Sequence, residues 1–506
     1  MSSLFPSIPV PQALISPLSR PVAAVARSSV LSLFSKLAVG QLEIRLADGR
    51  TLRYGDPTLV KSKEHQHKDA PIVELPADLK KQNGAKTAAT SLKRSAPHAV
   101  LIVNSDNFWT RMFFGADLGF AEAFMIGEVD TPDLAACFEI FILNRSSLSN
   151  LENVSFATSL VSSAQALLNK RYANTKVGSL RNIGAHYDIS NAMYKAFLSK
   201  DMTYSCAVFD TLDADVSGPS IASISRPALS VTDELEQAQY KKLELIIKRA
   251  NIRPGDRVLE IGTGWGSFAM RAVQMTGCHV DSVTLSVEQK ALAEQRIAEA
   301  GLSDHIKVHL MDYRDFPESW TDRFDRVCSI EMLEAVGIEF LSTYFACVDR
   351  VLKKDGGTAV FQCITMPESR FESYYKGVDF IRKWIFPGGV LPSVTSLVNG
   401  ATDGSDGRLV LDTVVSIGPH YSRTLREWKD RFEANFDKVI RPALLRDHED
   451  IRMLPDAAKE KEVEVFRKKW IYYFVYCEVG FTHRVIGDHI LAFTREGNVT
   501  LPVCCG

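Results

Sequence analysis

The chain has 506 residues, 46% of them hydrophobic, 9% aromatic and 24% charged. That balance supports a sizeable core and excludes global disorder and collagen-like repetition. At ~150 residues per domain the length allows two large domains or three, and the formal charge of -2 gives no overall field to draw the protein onto nucleic acid.

Nine cysteines (Cys137, Cys206, Cys278, Cys328, Cys347, Cys363, Cys477, Cys504, Cys505) lie in apolar surroundings. Without a CxxC pair or a zinc-like His spacing they read as reduced thiols of a cytoplasmic chain, and no metal is expected. The longest apolar stretch, Trp470 to Cys477, is far short of the ~20 residues that cross a bilayer.

In chain order, residues 1–40 read as a tail: they contain no Asp or Glu, and prolines interrupt any long amphipathic helix. An acid-poor start bearing Ser and Arg also fits an organelle transit peptide. A first domain is expected over 41–150. Gln41 to Tyr54 alternates apolar and polar residues about Asp48-Gly49, the signal for a β-hairpin. A polar, Lys-rich stretch from Lys61 to His98 reads as a surface loop, Ala99–Ile102 as a strand and Phe108–Arg145 as helical. The catalytic domain is expected over 151–500. Val154–Tyr172 looks helical, and Asp213–Thr232 reads as a loop. The apolar runs Arg257–Ile261, Val280–Leu285, Ile306–Met311, Asp325–Ile330 and Thr358–Ile364 then alternate with helical stretches, predicting an α/β fold with a mostly parallel, doubly wound sheet.

Directly after the first of these strands stands Glu260-Ile-Gly-Thr-Gly-Trp-Gly266, followed by the helical Ser267–Thr276. Glycine suits this place because a ligand's polar head approaches backbone N–H groups at a helix N-terminus, where a Cβ would obstruct it. A dinucleotide site would show GxGxxG and an acid closing the second strand. Here Gly262, Gly264 and Gly266 are two apart, and the second strand ends Thr284-Leu285-Ser286. Asp281 inside that strand reads as outward-facing and solvated. The pattern E-x-G-x-G-x-G is similar to the first motif of class I methyltransferases, with Asp312-Tyr-Arg-Asp315 where such enzymes hold adenine.

Further segments resemble cyclopropane-fatty-acyl-phospholipid synthases and mycolic acid cyclopropane synthases. They are His186-Tyr-Asp-Ile-Ser-Asn191, Met202-Thr-Tyr-Ser-Cys-Ala207, Thr284-Leu-Ser-x-x-Gln289, Ser329-Ile-Glu-Met-Leu-Glu-Ala-Val-Gly337, Ile385-Phe-Pro-Gly-Gly389 with Leu391-Pro-Ser393, His420-Tyr-Ser-Arg-Thr-Leu425 and Cys477-Glu-x-Gly-Phe481. The resemblance covers roughly 180–496 and, more weakly, 38–148.

It implies attack by a lipid cis-alkene on the sulfonium methyl of S-adenosylmethionine, then loss of a proton and closure to a cyclopropane, with bound bicarbonate as the base. By the same resemblance, Cys206 and Ile364 contribute backbone contacts to the bicarbonate, and Glu334 and Tyr421 contribute side chains. Gln362 stands where the best-known members have a His; unlike His, Gln can orient an anion but cannot exchange a proton near neutrality, and this keeps plain C-methylation of a lipid in play. Tyr204 and Ser205 would meet the methionine carboxylate, with Glu260 and the three glycines beneath it. Thr284, Leu285 and Gln289 would flank the ribose and Tyr313 the adenine, with Ile330 at the end of the fourth strand. Glu331 reads as part of the cofactor's surroundings or of a local salt bridge.

On Val463–Phe481, Phe466, Trp470, Tyr473 or Phe474, Cys477 and Phe481 share one helical face, read as part of an acyl tunnel. Lys376, Arg382, Lys383 and Arg467–Lys469 are candidates for lipid phosphates at a membrane surface. The expected partners are an unsaturated phospholipid, a membrane met peripherally and a second copy in a homodimer.

Overall fold

A computed structural model of the protein describes residues 19–58, 96–148, 189–212 and 233–501. Outside them lie the first eighteen residues of the tail, most of the Lys-rich stretch, the helix expected at Val154–Tyr172, His186 to Asp188, the loop expected at Asp213–Thr232, and Cys504 with Cys505.

Alternation about Asp48-Gly49 yields the expected hairpin: β1 (Gly40–Arg45) pairs antiparallel with β2 (Thr51–Asp56). On its other side β1 runs parallel to β3 (His98–Val103), which pairs with the two-residue β4 (Val129–Asp130). The helical pattern over Phe108–Arg145 is divided into Asn107–Met125 and Leu134–Leu143. Gly127, at φ +80, and Pro132 end one helix before the next begins.

The tail expected over 1–40 is corrected in its second half. Ser19–Phe34 is a helix, and Ala26, Val30 and Phe34, each four residues from the next, are buried. That spacing puts them on one face, packed against Asn107–Met125. Asn144 closes the joint from inside the core. Its Oδ1 accepts from the N–H groups of Ala38 (2.8 Å) and Val39 (3.0 Å), and its Nδ2 donates to the carbonyls of Val39 and Ile140.

Among the described residues the second sheet has seven strands in the order β10-β11-β9-β8-β5-β6-β7. They are β5 (Arg257–Ile261), β6 (His279–Thr284), β7 (Ile306–Leu310), β8 (Arg326–Ile330), β9 (Thr358–Thr365), β10 (Val410–Ser416) and β11 (Gly487–Thr494). From β9 to β7 every neighbour is parallel, and β11 is antiparallel to both β9 and β10. Strand order reverses between β5 and β8, where open α/β sheets bind ligands beyond the strands' C-terminal ends.

The long helix Asp456–Thr482 is buried around its circumference, so the single apolar face read from Val463–Phe481 understates it. Trp470 and Phe474 pack on Phe432 of the Gly418–Asn435 helix, while Tyr472 on the opposite side packs on Phe138 and Phe380. Two ion pairs fasten the same seam: Lys383 with Glu122 (2.5 Å) and Lys468 with Asp130 (2.6 Å). Lys376 pairs with Glu372, and Arg382 donates to the carbonyl of Gly377. These cations, expected at lipid phosphates, are engaged within the chain.

Truncating Asn144 strips the partners from two N–H groups in the core. Asn144→Ala is expected to cost about 2–4 kcal/mol, read as a lowered denaturation midpoint, with Asn144→Asp intermediate because it keeps the acceptor.

Candidate active site

The strand β5 delivers the chain into Gly262–Gly266 and then into the Ser267–Thr276 helix. Gly262, Gly264 and Gly266 have φ of +105, +51 and +85, a region that only glycine enters cheaply. A Cβ on Gly264 would meet nothing within 4 Å, so the loop stands clear beside a helix N-terminus and can admit a polar head group.

Glu260 serves that loop from behind. Its carboxylate accepts from the Ser282 hydroxyl (2.5 Å), which bonds in turn with Thr263 Oγ1 (2.7 Å). Burial pushes Glu260 up to about 8, so near neutrality it is a neutral prop and not the direct cofactor contact expected of it. At the end of β6, Thr284 donates to Gln289 Oε1 (3.0 Å) and Ser286 caps the next helix. Leu285, Tyr313 and Ile330 keep partly exposed surfaces along this edge, and the Tyr313 ring rests edge-on against Tyr344. Asp312 is gripped by Arg314 at 2.8 and 2.6 Å. Asp281, read as solvated, is paired with His309 (2.7 Å) and Arg323 (3.1 Å). A loop with an open face, a helix N-terminus, a partly exposed ring and apolar strand ends fit S-adenosylmethionine.

The segment Met202 to Ala207 is held beside this loop by polar side chains from two helices. Lys242 donates to the Ser205 hydroxyl, and Gln239 donates to the Ser205 carbonyl (2.7 Å). From the Gly418–Asn435 helix, Thr424 accepts from Ala207 N–H and His420 Nδ1 from Phe209 N–H, both at 3.2 Å. Burial and Lys241 hold His420 down at about 4, leaving it neutral and able to accept. Tyr204 joins hydroxyls with Tyr473 (3.1 Å) and lies against Trp428.

The C-terminal ends of β8 and β9, with the start of β11, converge on a cluster of three acids. Glu331 follows the last residue of β8, and its backbone N–H donates to the Gln362 carbonyl (2.8 Å). Its Oε1 accepts from the Cys206 N–H (2.8 Å) and the Gln362 amide (2.7 Å), and its Oε2 accepts from the Tyr421 hydroxyl (2.6 Å). Gln362 also donates to Asp488 Oδ2 (2.9 Å). Glu334, one turn on, accepts from the Ile364 N–H, while its Oε2 is buried without a partner.

Three carboxylates cannot all be charged in so dry a place. Burial, with Glu331 nearby, pushes Glu334 up to about 8, and burial and the same neighbour raise Asp488 much further. Burial raises Glu331 too, but Lys242, the Cys206 N–H and the Tyr421 hydroxyl oppose it. Glu331 is therefore the ionised member, balanced by Lys242, between two protonated acids.

The five residues expected to hold bicarbonate, Cys206, Gln362, Glu334, Tyr421 and Ile364, are thus brought together, but bicarbonate does not fit among them. Its donors are engaged by the protein's own carboxylates: Cys206 N–H, Tyr421 O–H and the Gln362 amide by Glu331, and Ile364 N–H by Glu334. Glu331, read as part of the cofactor's surroundings or of a local salt bridge, stands at the centre of the cluster. Lys242, Gln239 and Asp488 were not anticipated. Lys242 is a cation at the apolar face of an amphipathic helix, a signal open to reading, whereas nothing local marks Asp488.

Residues 174–489 match a family model described as mycolic acid cyclopropane synthetase. The chain is 37% identical over 317 residues to tuberculostearic acid methyltransferase of Mycobacterium tuberculosis, the match covering 63% of this chain and 65% of that protein. It is 30% identical over 411 residues to cyclopropane-fatty-acyl-phospholipid synthase of Escherichia coli, covering 81% of this chain and 91% of that one. A crystal structure of coclaurine N-methyltransferase bound to N-methylheliamine and SAH agrees in fold, with a TM-score of 0.53 at 19% identity over 74% of this chain and 98% of that one.

The neutral acids set a pH dependence of stability. Glu260 sits at about 8 in the folded chain against an ordinary 4.5, so between those values the folded state holds a proton that the unfolded state releases. Its contribution is complete below pH ~4.5 and is lost as pH rises toward ~8, with a slope of at most about 1.4 kcal/mol per pH unit. Glu260→Gln keeps the hydrogen bond without the proton, so its denaturation midpoint is expected to fall less than the parent's between pH 5.5 and 7.5.

Proposed function

The chain belongs to the mycolic acid cyclopropane synthetase family and is an S-adenosylmethionine-dependent methyltransferase, and from that premise we propose that it adds a methylene bridge across the cis double bond of an unsaturated phospholipid acyl chain, closing a cyclopropane ring. One observation carries the reading. A Cβ on Gly262 would lie 3.4 Å from the side chain of Met332, so the cofactor loop borders the turn that bears Glu331 and Glu334. A methyl donor and a proton acceptor are needed at one spot, and the fold supplies a site for each at adjoining strand ends.

S-adenosylmethionine, when bound, supplies an electrophilic sulfonium methyl. The chain's own residues position and protect. Gly262, Gly264 and Gly266 would admit the amino-acid end, Tyr204 and Ser205 flank it, and Tyr313 offers a ring for the adenine. An unactivated alkene is a feeble nucleophile, so it must be held in line and kept dry. Partly exposed Ile330, Met332, Ile364, Phe386 and Cys477 offer apolar surface for an acyl chain around the acids. Aromatic rings stand close by: Tyr421 is stacked on Phe481 with centroids 4.5 Å apart, and Tyr473 meets Phe386 edge-on. Their faces can stabilise the carbocation that methyl transfer leaves on the substrate. Bicarbonate takes no step in this reading, since the donors it would need are engaged.

A second reading, transfer of a methyl group without ring closure, is favoured by the likeness to tuberculostearic acid methyltransferase and by Gln362 in place of a residue that can titrate. Incubating the full chain with methyl-labelled donor and vesicles of cis-unsaturated phospholipid tests both. Labelled lipid is expected, and NMR of the released fatty acid distinguishes ring methylene from branch methyl; no label in lipid would sink both readings.

A further inference from the structure

The lipid-transfer reading leaves one chemical question: what removes the proton. Each group around the cluster can be tried in turn. Tyr421 is a donor, its hydroxyl directed at Glu331. Gln362 has no proton-accepting form near neutrality. The Cys206 thiol points at the carbonyls of Ala207 and Ile417, and burial holds its proton on firmly. Glu334 and Asp488 already carry protons, for the reasons above. Glu331 remains, the one ionised acceptor of the cluster: Cys206, Gln362 and Tyr421 donate to its carboxylate, and Asp488 hydrogen-bonds with it as well.

The backbone makes the same point independently. Glu331 sits at φ +47, a left-handed conformation that costs a non-glycine residue about 1–2 kcal/mol. A glycine there would relieve the strain. The structure instead keeps a carboxylate, gives it three donors and sets buried Lys242 as its counter-charge. The residue as a whole is only partly buried.

We propose that the Glu331 carboxylate is a built-in general base, seated where the family resemblance would place a bound bicarbonate and doing its work. In the step, a C–H bond of the newly added methyl breaks and its electron pair closes the last ring bond onto the cationic carbon. The proton passes to the Glu331 carboxylate and leaves to solvent when the product departs. Oriented by Cys206 N–H, the Gln362 amide and Tyr421, the carboxylate needs no titrating residue at position 362, which accounts for Gln362. The proposal rests on the lipid-transfer reading.

The test compares the full-length wild type, Glu331→Gly and Glu331→Gln on cis-unsaturated phospholipid vesicles with labelled donor, in carbonate-free buffer and with added bicarbonate. Wild-type turnover is expected to be the same within about twofold in both buffers, and both variants to fall on the order of 10²–10⁴-fold without bicarbonate. Glu331→Gly, which frees the donors and opens the seat, is expected to regain about tenfold or more when bicarbonate is added; Glu331→Gln, which fills the seat, is not. Cofactor binding by calorimetry should be retained in both variants, and Glu331→Gln preserves the shape should the glycine variant fold poorly. Wild-type turnover that collapses on removing bicarbonate and returns on adding it would overturn the proposal, as would full activity in Glu331→Gln. Wild type that binds the cofactor yet labels no lipid in either buffer would instead overturn the reading on which the proposal stands.

Discussion

A charge in a dry site has to be solvated by the protein itself, and at the C-terminal edge of this sheet that requirement falls on one carboxylate. Glu331 draws on the Cys206 N–H, the Gln362 amide and the Tyr421 hydroxyl, groups from three separate parts of the chain. Each is fixed by something else: Gln362 by β9 and Asp488, Tyr421 by its stack on Phe481, and Cys206 by a segment pinned through Ser205 and Ala207. Removing any one unbalances the others, because an ionised carboxylate deprived of donors is costly and a buried donor deprived of its acceptor nearly as much so.

This accounts for why motifs far apart in sequence are needed together. His420 and Thr424 of the HYSRTL segment accept backbone N–H groups of Phe209 and Ala207 and so hold the MTYSCA segment against the glycine loop. The IFPGG turn is likewise fastened to the acids, since Val390 N–H donates to the Glu334 carbonyl (2.8 Å). The smaller sheet and its helices are fastened to the helices of the larger by Lys383 with Glu122 and Lys468 with Asp130, so the helix that presents Tyr473 to Tyr204 is braced at its back.

Much of this fold was legible in the residues because the central strands are apolar, short and punctuated by helices. Arg257–Ile261 and the Ser267–Thr276 helix lie where periodicity and glycine spacing put them. The strands β10 and β11 escaped notice for physical reasons. Most of β10 is an exposed edge with mixed polarity, and β11 follows a long helix without a clear turn signal and carries Asp488 and His489 among its apolar residues. Ser19–Phe34 was hidden by the acid-poor composition around it, although Ala26, Val30 and Phe34 already had helical spacing. In the site, motif residues were readable one at a time, but their pairing was not. Whether Glu331 or an outside anion takes the Cys206 and Tyr421 protons depends on the direction of a side chain from a left-handed backbone, which spacing does not encode.

A base that belongs to the chain differs from one that diffuses in. A small anion in a cup of donors can turn among them, whereas Glu331 is held at both oxygens and faces its surroundings in one fixed direction. In the proposed reaction only a hydrogen of the substrate cation that comes within reach of that carboxylate can be taken, since proton transfer requires hydrogen-bond reach. Where that hydrogen is on the added methyl, the ring closes; where the chain lies differently in the apolar surroundings, the cation finds another outcome. On the proposed reading, ring formation and simple C-methylation diverge through the placement of an acyl chain by residues such as Ile364, Phe386 and Cys477, against a base that does not move.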